Sequence, residues 1–422
     1  MMQITYRYPL NEKIFKNKLL RAQVITLRYI GYIVKENDKY QLFHYCRSAF
    51  FTFSYAVCFA LGFSKLVLHP QFTGGSAMSA ATTFLYLSTG IAFNAAFFQK
   101  ERIARMLIFL QKDVDKFLIK SDEQEEKLFE EMHKYIKAIT VSIWIPTAVA
   151  AFIAYVEAFY RIAFGSFWYP TGEDDSDTPT LLNRLFPFGD VFDNTFFGFF
   201  LPLYALLIGV VAIPLWHTFI TSLMIYVILK WKVMHKRLSE MDVSKVILEP
   251  NEILYHSSLV GDENKINFLR ERMCKFCVVE QIRIRWFARE LQELIGIPVF
   301  ADFIIFSILI CFLFYELVTG NPTNMDFVFM CLYLFVMSSI LWLYHWHATL
   351  IKENSVEMGF AIYSCDWYNY PIKVQKLIQM AMIITARPLE IKAVLVPLSL
   401  TTFIDIIRAA YSYFSLLRKT SR

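Results

Sequence analysis

None of the usual catalytic signatures occurs in the 422 residues: there is no G-x-S-x-G, no P-loop, no H-E-x-x-H and no kinase motif. The chain is therefore not expected to be an enzyme, and nothing calls for a cofactor. Metal or redox spacing appears once, in Cys274-x-x-Cys277, without a second pair or a nearby His. A structural zinc site generally needs four ligands, so that pair is expected to be structural. No cysteine falls in the segments assigned below to the outside, which excludes an extracellular disulfide framework. Met1 to Leu10 lack the apolar core of a cleavable signal peptide, so the first span is expected to do the targeting. Internal repeats are missing, and the one biased tract, Gly172 to Asp177, is most simply a solvated acidic turn.

What the chain has in excess is apolar surface. Apolar residues make up 56% of it and aromatics 17%, with 41 Phe, too much for water-soluble domains of ordinary composition. Runs of about 20 mostly apolar residues cross a hydrocarbon core. Six are clear, at 48–68, 77–98, 137–160, 196–229, 297–319 and 326–351. A seventh, about 393–417, is interrupted by Asp405 and Arg408, which are spaced to pair on one helix face.

Charge then sets the orientation. Segments 1–47, 99–134, 231–296 and 352–388 hold 32 of the 42 Lys and Arg, whereas 69–76, 161–195, 320–325 and 418–422 hold 5. The positive-inside rule puts the first set in the cytoplasm, so the N-terminus is expected inside and, after an odd number of spans, the C-terminus outside. Ile103, Leu107, Leu110, Val114 and Phe117 recur with helical period in 99–134, as do Leu269, Met273, Phe276, Val279, Ile282 and Trp286 in 268–294. The fold class is thus an all-α membrane protein whose helices run on into a cytoplasmic bundle.

Among ionisable residues in or near spans, Lys65, Lys137, Glu157, Glu316 and Lys392 lie close to span ends and are read as snorkelling. Asp302, Asp405 and Arg408 are the candidates for a buried or water-facing role, since a charge in hydrocarbon is costly unless paired or hydrated. His345 and His347 are expected in an aromatic belt at the cytoplasmic interface. Phe84, Tyr86, Phe152, Tyr155, Phe200, Tyr204, Met330, Tyr333 and Met337 sit on the outer halves of spans two, three, four and six. Where those helices converge they enclose an apolar cavity with a few hydroxyls, suited to a small hydrophobic ligand.

The last third carries a recognisable pattern: Cys365-Asp366-Trp367-Tyr368, Pro371, Arg387-Pro388, Pro397-Leu398-Ser399, Thr401-Thr402-Phe403 and a closing Ala410-Tyr411-Ser412-Tyr413-Phe414-Ser415-Leu416-Leu417. It resembles the last two helices of insect odorant receptors, and the topology derived from charge agrees with that family. The resemblance implies a tetramer in which the seventh helix of each subunit lines one cation pore. It also implies a common odorant co-receptor subunit as partner, a small volatile odorant as ligand and no requirement for a G protein. The length of 231–296 favours a tuning subunit over the co-receptor. By the same resemblance Leu416 lies at the hydrophobic constriction, with Ser412, Ser415 and Lys419 nearby; Lys419 departs from the uncharged residue expected at a cation-pore mouth.

The chain divides accordingly into a cytoplasmic segment 1–47, helices one to six with their loops over 48–351, an anchor region 352–388, and a pore-lining helix with short external end over 389–422. Its expected place is the plasma membrane, in contact with lipid and not with nucleic acid, in olfactory sensory dendrites. A G-protein-coupled receptor would need the opposite orientation, and no Asp-Arg-Tyr follows the third span. A gustatory receptor would differ in its need for the co-receptor. A transporter would show paired, Gly-broken spans in matching halves, and none is seen.

Overall fold

The computed structural model describes residues 20–34, 41–68, 76–120, 123–164, 195–239, 263–319 and 324–420. The acidic tract at 172–177 and the segment 1–19 lie outside them. The described residues form ten α-helices: α1 (Arg21–Ile30), α2 (Gln41–Leu68), α3 (Ser76–Phe98), α4 (Lys100–Lys120), α5 (Glu123–Phe164), α6 (Thr195–Ser239), α7 (Glu263–Thr319), α8 (Asn324–Tyr363), α9 (Ile372–Thr385) and α10 (Leu400–Thr420). Six of them, α2, α3, α5, α6, α7 and α8, are long and apolar enough to cross a membrane. The 21 residues of α10 span about 31 Å, which is also sufficient, but one of its faces is polar.

Several helices overrun a bilayer. The 57 residues of α7 extend about 86 Å and the 45 of α6 about 68 Å, against a hydrocarbon core of about 30 Å. The excess lies at the Lys- and Arg-rich end, where ion pairs join buried apolar contacts such as Leu107, Leu110, Trp231 and Phe287 in tying the helices together. Asp113 of α4 accepts from Lys230 of α6 at 2.8 Å, Arg283 of α7 at 2.8 Å and the Tyr226 hydroxyl at 2.8 Å. Glu280 faces the same two cations at 2.9 and 2.6 Å. Arg237 makes a two-pronged contact with Glu125, at 2.5 and 2.8 Å, and Arg102 reaches Glu290 at 3.1 Å. The extended helical bundle expected from the amphipathic pattern is present, with one change: 99–134 is two helices, α4 and the start of α5.

Within the apolar region α6 is the central element, buried nearly all round from Ala212 to Leu229. It packs against α3, α5, α7 and α8, while α7 packs along α3. By contrast α2 shows Phe43, Phe50, Phe53, Phe63 and Val67 to the surroundings, as a lipid-facing helix should.

Two expectations need correction at the end of the chain. Helix α10 begins at Leu400 and not near 393, because Lys392–Ala393 pairs with Val396–Pro397 as a small antiparallel hairpin. Val394 there takes a positive φ of 56° and Pro397 has no N–H to give a helix; Ser399 Oγ then caps α10 by accepting from the Thr402 N–H at 3.3 Å. His345 and His347 are also fully buried and not in an interfacial belt. Each Nδ1 satisfies a carbonyl four residues back, and the rings pack on opposite sides, His345 on Phe303 and Phe403, His347 beside Tyr135.

Candidate functional site

The end of the bundle remote from the ion pairs holds the aromatic residues singled out above. Tyr86, from α3, buries its ring and donates its hydroxyl to the Ala205 carbonyl of α6. It can lie so close because Gly209, one turn on, has no side chain: a Cβ there would stand 3.0 Å from the Tyr86 oxygen. Tyr155 of α5 donates to the Leu203 carbonyl at 3.2 Å, and Tyr204 shares a 2.9 Å hydrogen bond with Ser54 of α2.

From α8, Met330 and Met337 are buried, and Tyr333 stacks on Phe329 with centroids 5.9 Å apart. The Tyr333 hydroxyl is shut away from solvent yet has no hydrogen-bond partner. Electrostatically, Tyr86 is within reach of Tyr55, Tyr155, Tyr333 and Cys58, so hydroxyls from α2, α3, α5 and α8 collect in one place. A buried polar atom with no partner costs free energy, and such atoms are few in native proteins.

The nine sequence candidates therefore separate. Tyr86, Tyr155, Tyr333, Met330 and Met337 turn inward with Phe84 and Tyr204 packed against the core. Phe152, 67% exposed, turns outward, and Phe200 is 48% exposed.

Sequence reasoning also missed a group. His217 of α6 lies between Tyr344 of α8, at 2.5 Å, and Asp302 of α7, at 3.9 Å, and Ser88 of α3 donates to Asp302. Asp302 was legible as a charge within a span; His217 and Ser88, each next to a threonine in an apolar run, gave no periodic signal.

On α10 the residues Phe403, Ile406, Ile407 and Ala410 face the bundle, and Phe414 meets Phe314 of α7 with ring centroids 6.2 Å apart. Thr401, Asp405, Arg408, Ser412, Leu416 and Lys419 lie on the opposite, exposed side, with Ser415 half-buried beside them. Arg408 and Asp405 pair at 3.6 Å as their spacing predicts. Cys274 and Cys277 are buried free thiols, and no group of three or more metal-ligating side chains occurs among the described residues.

A family model described as 7tm Odorant receptor matches residues 75–411. Odorant receptor 56a of Drosophila melanogaster is 40% identical over 409 residues, covering 96% of each chain. Odorant receptor 10 of Aedes albopictus is 30% identical over 138 residues, 32% of this chain and 36% of that one. Among solved structures, the olfactory receptor OR5 of Machilis hrabei in complex with eugenol superposes with a TM-score of 0.73 at 14% identity, over 97% of this chain and 100% of the other. That likeness establishes a shared fold.

Proposed function

Because the chain belongs to the 7tm odorant receptor family, we propose that it is a tuning subunit that binds a small, mainly apolar volatile among α3, α5, α6 and α8 and opens a non-selective cation pore. It does so in a tetramer with the odorant co-receptor, in the plasma membrane of olfactory sensory dendrites, with its N-terminus and basic end in the cytoplasm. Segment 1–47 is then cytoplasmic, 48–351 carries the ligand site, 352–388 anchors subunits to one another and 389–422 lines the pore.

The observation that carries the ligand site is the Tyr333 hydroxyl, buried without a partner within electrostatic reach of Tyr86 and the hydroxyls gathered around it. A ligand polar group that meets it gains a hydrogen bond in a dry setting, while the rings supply contact area. The similar Machilis hrabei receptor was captured with eugenol, a small organic molecule. Support for the pore comes from α10. A helix of membrane length that exposes Asp405, Arg408, Ser412 and Lys419 is unsuited to lipid and suited to a water-lined axis between subunits. Leu416, exposed near the end of that face, is the gate: a ring of apolar side chains closes a narrow pore by dewetting. Ligand binds more tightly to the open state, and that difference shifts the equilibrium.

The test is Tyr333→Phe in cells that also express the co-receptor. Volatiles with a hydrogen-bonding group should need roughly fivefold more to reach half-maximal current, while hydrocarbons of similar shape stay unchanged. An equal effect on both classes, or none on either, would move the polar contact elsewhere.

A further inference from the structure

The group at His217 lies between the candidate ligand site and the start of α10. Tyr344 is eleven residues beyond Tyr333 on the same face of α8, about 16 Å further along the helix. Its neighbour His345 stacks on Phe303 of α7 at 5.0 Å and contacts Phe403 of α10 at 5.9 Å. One turn further, the Thr349 hydroxyl oxygen accepts from the Leu400 N–H at 3.2 Å, which fixes the start of α10. The four polar residues Ser88, His217, Asp302 and Tyr344 thus stand between the candidate ligand site and the root of the exposed-face helix. Each comes from a different helix, and all are at least 95% buried.

Their hydrogen bonding is incomplete in a specific way. Asp302 Oδ1 accepts from Ser88, but Oδ2 has no partner. His217 Nδ1 faces both Tyr344 Oη, at 2.5 Å, and Asp302 Oδ2, at 3.9 Å. A hydrogen on Nδ1 can be given to one of them at a time. Moving it from Tyr344 to Asp302 satisfies one buried oxygen and frees another, so each arrangement leaves one buried oxygen to be weighed against the other. Such a balance is what a ligand of modest differential affinity can tip.

We propose that His217 exchanges partners between Tyr344 on α8 and Asp302 on α7 during the ligand response, holding Tyr344 in the resting chain and Asp302 in the responding one. Ser88, Asp302 and Tyr344 are positioning residues in this switch: they act through His217 and need not touch the ligand. The inference rests on the ligand-gated reading above.

Tyr344→Phe keeps the ring and removes the resting partner, so it should raise ligand-free current and lower the half-maximal ligand concentration by roughly fivefold or more. Asp302→Asn should do the reverse. Ser88 holds the amide oxygen, so the NH2 group replaces the acceptor that faced His217.

Both are compared at equal surface labelling with the co-receptor present. In a His217→Phe background, Tyr344→Phe should have no further effect, and this arm serves if Asp302→Asn fails to reach the surface. Shifts in the same direction, no shift, or a Tyr344→Phe effect that survives without His217 would each overturn the exchange. A wild-type chain with no ligand-evoked current would overturn the ligand-gated reading and this inference together, whereas normal wild-type responses with unswitched variants would remove this inference alone.

Discussion

Tyr86 fits over Ala205 and Gly209 only because α6 presents small residues one turn apart. The space is specific: a methyl at 209 already stands at 3.0 Å from the phenol oxygen, and a β-branched residue overfills it. Gly209→Val should therefore displace Tyr86 and raise the half-maximal ligand concentration about tenfold, read from dose–response currents at matched surface expression. Phe152→Ala is the control. With its ring 67% exposed on α5, truncation should leave the same measurement within about twofold. At this scale the sequence is informative about residue type and poor on direction. In an apolar span every face is greasy, so Phe84 and Phe152 look alike until neighbouring helices are placed, whereas a tyrosine in hydrocarbon already advertises that its hydroxyl must be met. Ser88 and His217 could not be found by type or spacing alone, because their roles exist only across α3, α6, α7 and α8.

Helices were the most legible level. Apolar run length set the spans and the 3.6-residue period set the extensions at the basic end, both consequences of local geometry. What was not legible was how those extensions are tied together. Burial disfavours the charged form of Asp113, yet the nearby Lys230 and Arg283 and the Tyr226 hydrogen bond outweigh it and hold the carboxyl below its ordinary value of 3.8. A carboxyl whose value is lowered on folding contributes stability above its unfolded value and loses it as pH falls through its folded one. The tie between α4, α6 and α7 is thus intact from neutral pH down to about pH 4 and weakens below. Thermal unfolding of the purified chain should show Asp113→Asn destabilised at pH 7, with a smaller further loss on acidification than the wild type shows. Equal acid sensitivity in the two would place the titrating group elsewhere. The late start of α10 was hidden for a similar reason: the pattern from 393 is apolar enough to read as helix, and only Pro397 hints at the hairpin that replaces its first turns.

Across the whole molecule one helix is packed along a single face. That helix, α10, has a packed apolar face and an exposed face carrying Asp405, Arg408, Ser412, Leu416 and Lys419, an arrangement that makes sense around an axis shared by several copies. If Leu416 closes that axis, Leu416→Ser should increase current in the absence of ligand, since a hydroxyl wets a constriction that leucine keeps dry. Unchanged ligand-free current at normal surface delivery would take the gate away from this residue. The overall plan of long apolar helices running on into a basic end was readable from apolar run length and from the uneven distribution of Lys and Arg along the chain. Assembly was not, because a single sequence can record an exposed polar face but not what covers it.

The most direct test is whole-cell current from cells expressing this chain with and without the odorant co-receptor, challenged with a panel of small aromatic and aliphatic volatiles. Rapid cation current confined to the co-expressing cells is the predicted result. Equal responses without the co-receptor, or none with surface delivery confirmed across the panel, would contradict the assignment as a tuning subunit of a ligand-gated channel.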